Sequence, residues 1–136
     1  MTGDDLAQAA EKFAGAPFRL HGRDPQTGLD CIGLLEAAFT ACGMDARLPT
    51  GYSLRTGWWQ DLESHAARLG FVPCKAPVSP GDIFLLRPSP VQMHFAIAST
   101  APGLMVEAHA GLRKVVISPV PDVSVFAWHW RLALDK

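Results

Sequence analysis

Met93-His94-Phe95-Ala96-Ile97-Ala98-Ser99-Thr100-Ala101-Pro102-Gly103-Leu104-Met105-Val106-Glu107-Ala108-His109 reads as two apolar strands joined by a tight turn. Thr100-Ala101-Pro102-Gly103 supplies the Pro and Gly of a chain reversal. A hairpin centred between Ala101 and Pro102 pairs residues whose numbers sum to 203, which sets His94 opposite His109. Directly opposed residues hold their Cβ atoms about 5 Å apart on one face of a sheet. Two histidines, each interrupting an apolar strand, are thereby expected to meet.

The two-residue period continues on both sides of this hairpin. Residues 82–87, 114–119 and 123–132 are further candidate strands, separated by turns that carry Pro or Gly. Before residue 75 the period is helical. Leu6, Ala9, Ala10 and Phe13 mark a first helix, with Thr2 and Asp5 as its capping box. A second spans 31–42 and stops at Gly43. A third runs from about Trp58 to Leu69, with Trp59, Leu62, Ala66 and Leu69 inward and Gly70 at its end. Helices followed by consecutive strands predict an α+β fold, with N-terminal helices packed on a five- to six-stranded antiparallel sheet. The whole of 1–136 reads as one domain, without repeat or linker.

Composition narrows the function. Apolar residues make up 49% and charged residues 18%, a globular balance. A net charge of -1 gives no basic field for a nucleic acid, so none is expected as a partner. No window approaches the roughly 18 apolar residues of a membrane span. Met1-Thr2-Gly3-Asp4-Asp5 is acidic and lacks the basic start and apolar core of an export signal. The three cysteines, Cys31, Cys42 and Cys74, are odd in number and show no CxxC spacing. On one helix Cys31 and Cys42 would lie about 16 Å apart, too far for a disulfide. Free thiols in a chain made in the cytoplasm are expected.

Cys31 stands at the start of the second helix, directly after Asp30. A helix N-terminus carries about half a positive charge and unpaired N–H groups, which favour thiolate over thiol. The same N–H groups can hold an oxyanion. Gly33 would let that helix pack closely against a sheet or a substrate. Position alone fits a small apolar filler equally well.

A thiol nucleophile needs an imidazole in reach and a polar group to orient it. Of five histidines, His21 lies in a loop and His65 on a helix whose apolar face is already filled. His129 alternates with Trp128 and Trp130 and is expected at the surface. His94 and His109 remain, His94 as the base and His109 as the group on its second ring nitrogen. Glu107 shares a face with His109 and is the reserve orienter; two histidines satisfied within a sheet is the bland alternative. Cys31, His94 and His109 also match zinc preferences, but they lack the paired spacing of zinc modules, so no metal and no cofactor are expected.

Gly15-Ala16-Pro17-Phe18-Arg19 and Gly28-Leu29-Asp30-Cys31-Ile32-Gly33-Leu34-Leu35 resemble the NlpC family of cell-wall cysteine peptidases. Pro80-Gly81-Asp82-Ile83-Phe84 is similar to the family's turn-and-strand motif, and His94-Phe95-Ala96-Ile97 to its histidine strand. Val106-Glu107-Ala108-His109-Ala110, followed by Val115-Val116, looks like the strand with the third polar residue. The resemblance runs from residue 1 to about 130. It implies a papain-like fold, a Cys31–His94–His109 triad, a peptidoglycan stem peptide as substrate, and a structural role for Asp82. By the same resemblance Asp30, Phe18 and Ile32 match a substrate-binding site for a free stem-peptide amine. Phe18 and Ile32 stand where the family carries hydroxyls, so stem peptides still attached to glycan are the expected substrate.

The short chain, with neither signal nor wall-binding module, resembles the branch found in phage tails and gene-transfer particles. That implies other tail or baseplate proteins as partners, assembly into a particle, and action at the cell wall or periplasm during DNA entry. Two alternatives stand beside this reading. One is a non-catalytic tail-assembly protein of the same fold; the other is a thiol amidase or acyltransferase acting on another acyl group.

Overall fold

The computed structural model describes residues 1–44, 48, 62–75, 77–89 and 92–133. Helix α1 (Gly3–Glu11) starts at Thr2 through a reciprocal capping box with Asp5. Strands β1 (Arg23–Asp24) and β2 (Gly28–Leu29) form a short ladder that leads into α2 (Cys31–Ala41). Helix α3 (Leu62–Arg68) and β3 (Phe71–Pro73) follow, then β4 (Ile83–Ser89), β5 (Gln92–Ala98), β6 (Leu104–His109), β7 (Lys114–Pro119) and β8 (Phe126–Leu132). Strands β3 to β8 make an antiparallel six-stranded sheet in the order β3-β8-β4-β5-β6-β7. The expected α+β architecture is present.

Alternation assigns the two sides of the sheet. Phe95, Ile97, Val106, Ala108 and Trp130 face the helices and join Leu6, Leu34, Ala38 and Phe39 in the main core. Phe84, Leu86, Ala96, Ala98 and Met105 point the other way. Val120, Val125 and Phe126 cover that second side and make a smaller core. Glu11 fastens α1 to the β5–β6 turn by accepting from the Thr100 backbone N–H at 2.8 Å and from the Ser99 and Thr100 hydroxyls.

Several elements depart from expectation. The third helix begins at Leu62 among the described residues, and Trp58 and Trp59 lie outside them. Ala66 and Leu69 pack on the core as expected. Residues 123–125 form a 3-10 turn ahead of β8 instead of strand. The short strands β1, β2 and β3 are additional, since two or three residues carry no readable period. His129, expected at the surface, is buried. It does point away from Trp130, but into the second core, edge-on to Phe84 with ring centres 4.9 Å apart. Its Nε2 meets Asp82 Oδ2 at 2.7 Å. Arg131 donates to both Asp82 oxygens at 2.9 Å, and the Ser79 backbone N–H donates to the same carboxylate. Asp82 thus ties the turn before β4 to β8. Among the described residues no helix is long and apolar enough to cross a membrane.

Candidate active site

Asp30 is the N-cap of α2, and its geometry places Cys31. Its Oδ1 accepts the Gly33 N–H at 2.9 Å and its Oδ2 the His21 N–H at 2.8 Å, so one buried carboxylate holds both the helix end and the preceding loop. Gly33 is required here. A Cβ at that position would stand 2.0 Å from the Gly22 carbonyl oxygen. The helix therefore lies directly on the loop, and Cys31, as its first residue, opens onto a cavity of about 560 Å³.

His94 reaches the same cavity from β5. Its Nε2 meets Glu107 Oε1 at 2.8 Å, and the ring also bonds Cys31. With Nε2 taken, Nδ1 is the nitrogen left for the sulfur. Burial works against the imidazolium, yet the bonds and charges of Cys31 and Glu107 outweigh it and push the His94 pKa up to about 10. Burial likewise opposes the Glu107 carboxylate, but bonds from His94 and the Ser118 hydroxyl hold it below its ordinary range. The result is a continuous relay, Cys31–His94–Glu107–Ser118, in which the carboxylate fixes the ring and keeps its charge.

His109 does not take the place expected of it beside His94. The predicted register is present at Ile97–Val106 and Ala98–Met105, but among the described residues this ladder does not extend to His94 and His109. Glu107, the reserve orienter, is the group that reaches the ring. His109 Nδ1 instead accepts the Leu112 backbone N–H at 3.0 Å. Its ring still lines the cavity, as does Phe18. Asp30 and Ile32 do not join them. Asp30 is buried beneath the helix end, and Ile32 lines a separate apolar cavity with Leu35, Phe39 and Phe71.

Solved structures with this arrangement of elements come from NlpC/p60 domains. The domain of the peptidoglycan hydrolase SagA is 21% identical with a TM-score of 0.62, over 98% of this chain and 100% of that one. The fold is that of an NlpC/p60 domain. An NlpC/p60 family protein from Bacillus cereus ATCC 10987 has a TM-score of 0.69 at 20% identity, and this chain spans 41% of its length. The P60 domain of an M. avium subspecies paratuberculosis antigen is 19% identical with a TM-score of 0.58, over 98% of this chain and 96% of that one. No protein-family model matches the sequence, and no curated protein does.

Ser118 was not legible as part of this site. It sits on β7, two residues beyond the direct partner of Glu107, and only the β6–β7 register reveals it. Cys74, Asp82 and His129 also gather at one end of the sheet, with one potential ligand atom each within 4.8 Å of the others. Asp82 there already accepts from Arg131, His129 and Ser79, and His129 uses Nε2 for that bond. A cation would have to displace these donors, so the cluster reads as an ion-pair hub that holds the turn.

Proposed function

We propose that this chain is a peptidoglycan-degrading cysteine endopeptidase that cuts stem-peptide amide bonds through Cys31, His94 and Glu107. The observation that carries the reading is the relay from the α2 N-terminus through an imidazole to a buried carboxylate, opening onto one cavity. The likeness of the fold to the domain of a peptidoglycan hydrolase supports peptidoglycan as the substrate class.

In this mechanism the imidazolium of His94 faces the Cys31 sulfur as its counter-ion. The sulfur attacks the amide carbonyl, forming the C–S bond. The first N–H groups of α2, which lack intrahelical acceptors, face the developing oxyanion. As the C–N bond breaks, His94 gives its proton to the leaving amine. The imidazole then takes a proton from water, whose oxygen attacks the thioester and releases Cys31. Glu107 stays ionised throughout and holds the ring in the tautomer the cycle needs.

We further propose delivery in a phage tail or gene-transfer particle, with tail or baseplate proteins as partners. The support for this setting is the sequence resemblance to that branch of the family. Of the residues matched to an amine subsite only Phe18 lines the cavity, and its lack of a hydroxyl favours stem peptides still attached to glycan. The test is turbidity of a suspension of purified sacculi. Clearing by the wild type, and none by Cys31→Ala, is expected; equal behaviour of the two would overturn the assignment.

A further inference from the structure

Among the described residues of the cavity, His109 is the one polar side chain that the relay leaves over. Cys31, His94 and Glu107 are engaged with one another, and the Glu107 carboxylate is further held by Ser118. The remaining described walls are apolar, Phe18, Leu86, Met93, Pro121 and Val125 among them. A peptide bound between such walls must bring its carbonyl groups out of water, and each needs a donor.

The turn after β6 determines what His109 can offer. Its Nδ1 accepts the Leu112 N–H at 3.0 Å. A ring nitrogen that accepts does not carry the proton, so the proton sits on Nε2, at the far end of the ring. Gly111 makes room for this posture, since a Cβ there would lie 3.1 Å from His109 Cε1. Among the described residues nothing bonds Nε2. The ring is therefore anchored at one end and presents a donor at the other.

We infer that His109 is a substrate-binding residue whose Nε2–H donates to a backbone carbonyl oxygen of the bound peptide. A bound peptide presents such a carbonyl at every residue, and between apolar walls that oxygen needs a donor to replace water. The inference rests on the hydrolase reading for the choice of a peptide, so its test separates binding from turnover.

In the Cys31→Ala background, the Kd of a stem pentapeptide amide is measured by calorimetry with His109, His109→Phe and His109→Gln, after matching their thermal midpoints. His109→Phe keeps a ring without a donor and is expected to weaken binding about three- to tenfold, the worth of one neutral hydrogen bond. His109→Gln, which keeps a donor, should fall between the two, and it carries the test if the phenylalanine variant does not fold. With Cys31 restored, His109→Phe should raise KM and leave kcat and its pH profile in place. Unchanged Kd values, or a fall in kcat with a shifted pH profile, would overturn the inference. If wild type clears sacculi while the Kd values are unchanged, only the His109 assignment falls. If the Kd pattern holds without clearing, the hydrolase reading falls instead.

Discussion

In the proposed mechanism Cys31 and Glu107 together hold the charge on His94. A carboxylate held by a ring nitrogen on one side and a hydroxyl on the other is worth more than an exposed one, because burial weakens water's competition. Glu107→Gln keeps the shape but loses the charge. Its kcat/KM should fall at least about tenfold, and by less than in Cys31→Ala or His94→Ala, which should be equally inactive because nucleophile and base act as a unit. The same pair has a signature in stability. His94 titrates near 6.5 when unfolded and at about 10 in the folded chain. A raised value means that its contribution is complete below about pH 6.5 and is lost as pH rises toward 10. Denaturant unfolding across that window should show the decline, and Glu107→Gln should flatten it. Brief iodoacetamide treatment near neutral pH, followed by peptide mapping, should find Cys31 modified before Cys42, whose thiol is pushed up by burial and by Asp5. Cys42 reacting first would contradict the assignment. Cys31 and His94 were legible because a helix start and an interrupted strand leave marks in sequence. The choice between Glu107 and His109 was not, since alternation places both on one face and only the extent of the β5–β6 ladder separates them.

Helix α2 can present Cys31 as the proposed nucleophile only as well as its first turn is held. Asp30 accepts two backbone N–H groups from a fully buried position, and losing it leaves both donors without their partner. Asp30→Ala should therefore cost about 2 kcal/mol or more, at the upper end for an N-cap, with Asp30→Asn milder. Thermal unfolding of the two variants measures this, and an unchanged midpoint in Asp30→Ala would refute the capping role. The start at Cys31 and the stop at Gly43 were legible in the sequence, whereas the capping role of Asp30 shows only in the structure. The β1–β2 ladder could not. Its two-residue strands exist because Pro17, Phe18 and Arg19 pack against Leu29 and β7, contacts that no local pattern announces.

Across the whole molecule, a sheet with two covered sides brings helix and strands to a common cavity. The helical side was legible from alternation, because Trp128, Trp130, Phe95 and Ile97 are large and regularly spaced. The other side was not. His129 looks like a surface residue until Phe84 and Phe126 close over it. Removing the anion of this hub, Asp82→Ala, should destabilise by about 3 kcal/mol, since His129 loses its buried partner. Thermal unfolding reads that loss, and a change within experimental error would contradict the hub. The central claim, that Cys31 opens an amide bond of the cell wall, is tested most directly by weighing the fragments released from purified sacculi. The account predicts, from the wild type, fragments that together weigh one water more than the uncut peptide link, one ending in a new carboxylate and the other in a new free amine within the stem, and none from Cys31→Ala. Fragments cut in the glycan strand, or identical release by Cys31→Ala, would contradict it.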